Sequence, residues 1–283
     1  MIDDRLTLPL TTATKVGHFS MRVARGFRDS NGLVLAGAMA YSALLSVVPL
    51  AMLLTAVLSH FIAAEDVSRA VRAELENILL PGQVAPLIDA VESLVANAEM
   101  GGLLGVLGVA FFATSGFRVL QAALDQVFSH RREHLKARSL WVSVLLSLAF
   151  IAAIALALLL RIRLGTFDLP GLGGMATKLG GYVTLGVLMS AVYRVMPLGG
   201  LPLRASLIGG FVAAGLWESL QLGLGWYFGN ISNVNVIYGS MGTVVLILFT
   251  LQAAAGIVLV GAQVISEVER SWRAGLRWYQ APG

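Results

Sequence analysis

The chain has 283 residues, 57% of them hydrophobic and 13% charged, with a mean hydropathy of +0.80. A soluble domain carries about 25% charged residues, and no water-soluble core absorbs this much apolar surface. The lack of cysteine excludes disulfides and thiolate metal sites, and the formal net charge of +4 has to be explained by where the charges lie.

A helical membrane crossing needs about 20 apolar residues. Six stretches qualify: Leu33 to Ile62, Gly102 to Phe128, Leu140 to Leu160, Leu179 to Met196, Ala205 to Phe228 and Gly242 to Ser266. The fold expected is all-α, a polytopic membrane protein with six transmembrane helices and both termini in the cytoplasm. Its parts are a cytoplasmic amphipathic segment (1–32), a transmembrane domain (33–266) with an external helical cap (63–100), and a cytoplasmic tail (267–283). Only Arg69, Arg72, Arg161, Arg163 and Lys178 fall on loops assigned outside. Arg118 lies within a span, and the other basic residues are inside, as the positive-inside rule requires. Basic clusters that flank spans do not form the single stripe of a nucleic-acid surface, so no nucleic-acid partner is expected.

The polar start is longer than a signal-peptide n-region, and the apolar run after it is about twice a signal core of 7 to 15 residues, so that run is expected to stay as an anchor. Within the start, Val16, Phe19, Val23 and Phe27 recur at helical spacing while Lys15, Arg22, Arg25 and Arg28 point elsewhere. Such a helix lies in the inner headgroup layer; the alternative is a basic tail without fixed structure. In the first span, Ala38, Ser42, Ser46 and Pro49 share one side. Pro49 frees the carbonyl of Leu45, which needs a serine or a neighbouring helix to satisfy it, so that side is expected to face protein. The cap carries Glu65, Asp66, Glu74, Glu76, Asp89, Glu92 and Glu99. Val67, Val71, Leu75, Ile78 and Leu79, then Leu87, Ile88, Val91, Leu94 and Val95, predict two amphipathic helices, broken at Pro81, Gly82 and Pro86.

Thr114, Arg118, Gln121 and Asp125 follow at spacings of 4, 3 and 4 in the second span, which predicts one shared face. Arg118 either pairs with Glu218 across the bundle or with Asp125 about 10 Å along its own helix, or it snorkels with Asp125 to the inner headgroups. The third span holds only Ser143 and Ser147 as interior polar residues and is expected at the lipid-facing edge. In the loop before it, His130-Arg131-Arg132-Glu133-His134 fits an inverted zinc-protease pattern. Arg131, Arg132, Lys136 and Arg138 crowd that loop and oppose a dication, so neither metal nor cofactor is expected.

Charges within a bilayer are costly and face a bundle interior or a water-filled cavity. Glu218 is fourteen residues beyond Arg204, about 21 Å at 1.5 Å per residue, near or just past the membrane centre. Ala214, Gln221 and Gly225 share its face. It is either a substrate or proton site or a neutral packing residue, since burial raises a carboxyl pKa. Gly209, Gly210, Ala213 and Ala214, Gly101 and Gly105, and Gly186 and Ser190 are small residues spaced for close helix approach. The uncharged loop from Gly229 to Ser240, with Tyr238, either dips back to line an outer mouth or forms amide-rich turns. Spans one to three and four to six have opposite orientations, the layout of inverted-repeat transporters.

Ala40-Tyr41-Ser42-Ala43-Leu44-Leu45-Ser46-Val47-Val48-Pro49 resembles the Ala-Tyr-x-x-Leu-x-Ser-x-x-Pro signature of the BrkB/YihY family of bacterial inner-membrane proteins. Tyr193-Arg194-Val195-Met196-Pro197, Trp217-Glu218, Gly225-Trp226-Tyr227, Ile237-Tyr238-Gly239-Ser240 and Gly261-Ala262-Gln263 follow in the family's order, over about Phe27 to Glu267. Asp125 stands where the family pattern has Asn, Gln263 where it has Glu, and Phe249-Thr250-Leu251 where it has Trp-Leu-Tyr. The resemblance implies a transporter-like layout in the inner membrane, a link to envelope integrity and serum resistance, and, for some members, a ribonuclease label. No pair of metal-binding carboxylates or acid and base supports that label here, and no enzyme is expected.

The function expected is a transporter or permease for a solute or lipid component of the envelope. Its pathway residues would be Glu218, Gln221, Arg118, Gln121, Asp125, Tyr41, Ser42, Ser46, Pro49 and Tyr238. The alternative is a membrane scaffold whose external acidic cap binds envelope proteins. Partners expected are membrane lipids, the substrate, and either a second copy of the chain or an envelope protein.

Overall fold

A computed structural model describes residues 12–58, 69, 72, 88–89, 102–128, 174–197, 201–230 and 242–276. Among these lie six long helices: α1 (Thr12–Asp29), α2 (Gly32–Leu58), α3 (Gly102–Val127), α4 (Gly174–Val195), α5 (Leu203–Asn230) and α6 (Gly242–Arg273). Helices α2 to α6 fall on five of the six predicted spans; the third, Leu140 to Leu160, lies outside the described residues. By length and composition, Gly32–Leu53, Leu203–Tyr227 and Val244–Arg273 suffice to cross a membrane, and α4 holds a shorter apolar stretch, Gly181–Val195. In α3 only sixteen residues, Gly102 to Phe117, precede the charge of Arg118.

The amphipathic start is a helix, as its periodicity predicts, but its apolar face docks on protein. Val23 is buried with Val264 and Val268 of α6, and Phe19 and Val260 pack beside them. Arg22, expected on the solvent side, turns toward α6 instead. Asn31, at φ 55°, stops α1 and reverses the chain, a backbone region that Asn tolerates better than most residues. The amide of Asn31 bonds to the Arg28 carbonyl, and the amides of Val34 and Leu35 bond back to Asn31. Gly32 opens α2 where the Phe27 ring leaves no room for a Cβ.

Among the described helices α6 is central: α1, α2, α3 and α5 all pack on it, while α2 pairs with α3 and α4 with α5. Glycines set these contacts. A Cβ at Gly210 would collide with Ser190 Oγ and the Gly186 carbonyl of α4. One at Gly209 would collide with Ile265 and the Gly261 carbonyl of α6. Two adjacent glycines therefore let α5 approach two helices at once, which is the close approach that small residues permit between membrane helices. On the other pair, Gly116 of α3 seats Ser46 of α2.

The main core lies at the end of the bundle where α1 sits. There Ala36, Leu124, Tyr193, Met196, Leu259 and Ile265 form one buried cluster. Farther along, Ile88 of the predicted external cap is buried with Ile247 of α6 and packs near Leu44, Val47 and Leu251. The last helix runs seven residues past the predicted membrane boundary at Ser266, to Arg273. It ends in a Schellman motif: Gly275, at φ 68°, donates to the Trp272 carbonyl, and Leu276 donates to that of Ser271.

Candidate functional site

The polar groups of α3 separate into two directions. A groove of about 1100 Å³ runs between α2 and α3, with Arg118, Asp125, Gln126 and Ser115 on one wall. Val34, Leu35 and Ala38 form the other, and Ser30 and Asn31 lie at its end. Gln121 is not part of it; the side chain is buried, at 5% exposure. The shared face expected for Thr114, Arg118, Gln121 and Asp125 is thus split. At about 100° per residue, Gln121 lies about 60° from Arg118 on the side away from the groove. Thr114 turns its hydroxyl to the Phe111 carbonyl at 3.0 Å.

Beyond the groove α2 keeps an exposed side. Val34, Ala38, Tyr41 and Leu45 are all exposed and recur at spacings of 4, 3 and 4, which puts them on one stripe. Tyr41 lies nine residues from the start of α2, and Arg118 nine from the end of the antiparallel α3. Both are about 14 Å from the α1 end at 1.5 Å per residue. The seating of Gly116 against Ser46 and near the Ser42 carbonyl joins the two helices just above this level. Arg118 thus stands on an open furrow whose α2 side is aliphatic, while Tyr41 lies on the exposed side of α2 beyond the furrow's lining. An aliphatic wall strengthens the field of a cation compared with water.

Other pathway candidates sit elsewhere. Ser46 is buried and donates to the Ala43 carbonyl at 3.1 Å, not to the carbonyl of Leu45 that Pro49 frees. Ser42 and Pro49 are half-buried inside the continuous α2. Glu218 is on the exposed side of α5, with Ser219, Leu222 and Trp226 also exposed, while Ala214 is fully buried and Gln221 half-buried. The proposed stripe of Ala214, Glu218, Gln221 and Gly225 consequently runs from packed core to open surface. Among the described residues no ion pair joins Arg118 to Glu218. Tyr238 and the His130 to His134 motif lie outside the described residues, as do Gly101, Trp141 and the third span.

A second constellation was not foreseen. Arg22 of α1 approaches Glu267 of α6 at 3.5 Å, with the two side chains only 16% and 7% exposed, and its guanidinium lies 5.5 Å from the centre of the Phe19 ring. Arg270 reaches Glu267 at 3.6 Å, and Arg273 bonds to Glu269 at 3.0 Å. The Gln263 amide packs directly over Gly26 of α1, where the sequence departs from the family's Glu. Gly261, two residues earlier, accommodates Tyr193, whose hydroxyl donates to the Val258 carbonyl at 2.7 Å. The Tyr193 and Gly261 blocks, read separately in the sequence, are the two sides of one contact. Glu267 and Glu269, followed at spacings of three and four by Arg270 and Arg273, are the sequence signal for the ion-pair cluster, but its partner in α1 is more than 240 residues away.

Apolar helices packed through glycines around a central helix define the class: an all-helical membrane protein. The family model described as Virulence factor BrkB matches residues 23–281, and the chain belongs to that family. It is 27% identical over 252 residues to a UPF0761 membrane protein of Alkalilimnicola ehrlichii, covering 87% of this chain and 57% of that protein. It is 26% identical to one of Rhodospirillum centenum, with 88% and 56% covered, and 22% identical to one of Haemophilus influenzae, with 89% and 95% covered. The chain thus spans little more than half the length of the first two. No solved structure matches it.

Proposed function

We propose that this is a non-enzymatic, multi-pass protein of the bacterial inner membrane that carries an anionic amphiphile of the envelope along the α2–α3 furrow. The observation that carries this reading is Arg118, exposed within an open groove whose α2 wall, Val34, Leu35 and Ala38, is aliphatic. A cation in that setting suits the headgroup of an anionic lipid, while the stripe of Val34, Ala38, Tyr41 and Leu45 suits its chains. Gln126, Ser30 and Asn31 at the α1 end would receive or release the polar part. The six-span topology is supported by the helix directions. Both α3 and α4 finish in the core cluster at the α1 end, so the chain has to return to the far end between them, where the third span is predicted.

The test is lipid movement in reconstituted vesicles with a fluorescently labelled phosphatidylglycerol, its exposure on the outer leaflet read by dithionite quenching. The full chain is expected to accelerate movement over empty vesicles. Arg118→Gln is expected to lower the rate about tenfold, the worth of one charge-assisted hydrogen bond, with Arg118→Lys in between. Equal rates for Arg118→Gln and the unaltered chain would sink the carrier reading.

A second reading, a membrane scaffold, is favoured by one observation. Glu218 lies on an exposed helix side instead of in an enclosed cavity, and a carboxylate at that depth needs a covering partner. It predicts that Glu218→Gln leaves lipid movement unchanged and weakens a crosslink between α5 and a second copy or an envelope protein.

A further inference from the structure

On the opposite side of α6 from the furrow, a cleft of about 770 Å³ lies under α1. Phe19, Val23, Ala24 and Phe27 roof it, Ile208, Val212 and Leu216 of α5 form one wall, and Val264 and Trp272 of α6 the other. Ser20 supplies the one hydroxyl in an otherwise apolar lining. The volume is that of a small-molecule site, yet without the convergent polar groups that such a site uses to orient a compact ligand. An extended aliphatic chain needs none.

The surroundings specify what that chain belongs to. Arg204 is exposed one turn before Ile208, on the same face of α5 as the cleft wall. Trp272, 41% exposed, sits at the end of the wall, as aromatic residues do at a membrane interface. The nearby carboxylates, Glu267 and Glu269, are buried and paired with Arg22, Arg270 and Arg273, which leaves the rim positive. We infer that the cleft holds one acyl chain of an anionic phospholipid from the adjacent leaflet, with its phosphate at Arg204. This site is separate from the furrow and does not depend on the carrier reading.

Trp272 is a native reporter. In a chain with Trp141, Trp217, Trp226 and Trp278 changed to Phe, its fluorescence is titrated with phospholipid brominated on the acyl chains, in nanodiscs of otherwise unlabelled phosphatidylethanolamine. Brominated phosphatidylglycerol is expected to half-saturate quenching at about fivefold lower mole fraction than brominated phosphatidylethanolamine, the preference that one or two basic residues confer near an anionic headgroup. Arg204→Gln, a surface change that spares the packing, should abolish that difference, and Ala24→Phe, which fills the cleft, should remove the saturable phase. Arg118→Gln should leave both curves unchanged. Identical curves for the two lipids, or an undiminished preference in Arg204→Gln, would mean ordinary contact with surrounding lipid and overturn the proposal.

Discussion

The two helix pairs flanking α6 differ in how they meet. Helices α4 and α5 close on each other through Gly186, Ser190 and Gly210, and α5 closes on α6 through Gly209, with Tyr193 locking α4 to the Val258 carbonyl. Helices α2 and α3 touch through Gly116 and Ser46, and beside that contact they leave a groove of about 1100 Å³ containing an arginine. The closed pair is built as a platform and the open pair as a site. Small residues alone do not distinguish them; what differs is whether polar side chains stand beside the contact.

This contrast can be broken by overfilling each side. Gly209→Val puts a branched side chain against the Gly261 backbone carbonyl, which cannot yield, and is expected to cost about 3 kcal/mol, read as lost folded yield and a lower melting temperature in detergent. Gly116→Ala meets the end of the Ser46 side chain, which can rotate, and should cost about 1 kcal/mol. Equal losses for the two would remove the distinction between platform and site.

Smaller effects sharpen it. Tyr193→Phe deletes a hydrogen bond to a carbonyl inside α6 and should lower stability by about 1 kcal/mol, with lipid movement per folded molecule unchanged. Arg22→Gln leaves Glu267 with the more exposed Arg270. The Arg22–Glu267 pair is largely buried, but Glu267 keeps Arg270, so a loss of about 1 to 2 kcal/mol is expected, less than for a buried charge left with no partner, together with faster proteolysis between α1 and α2. If α1 instead stays equally protected, the apolar contacts of Val23 and Gly26 hold it without the ion pair.

The spans were legible because apolar length is a property of one stretch of chain, and five of the six fall on helices. The Gly209, Gly210, Gly186 and Ser190 contacts were legible for the same reason, since small residues at spacing four mark a helix face. Gly116 was not, because Phe112 and Leu120 flank it at that spacing and no small stripe forms. Amphipathicity marked α1 as a helix, but an apolar face does not reveal whether lipid or protein covers it, so its docking on Val264 and Val268 stayed hidden. The pathway candidates suffered most. Helical spacing grouped Gln121 with Arg118, and only the packing of α2 on α3 shows that a 60° offset sends one into the core and the other into the furrow. Glu218 stands out by its charge, its depth and the small and polar residues on its face, and none of these reports whether that face meets protein or open surface.

The central claim is that Arg118 in the α2–α3 furrow handles the anionic headgroup, and the most direct measurement compares lipid classes on one variant. With labelled phosphatidylglycerol and phosphatidylcholine in matched vesicles, the unaltered chain should move the anionic lipid faster, and Arg118→Gln should erase that preference while the melting temperature holds. A preference that survives in Arg118→Gln, or no acceleration of either lipid by the unaltered chain, would contradict the account.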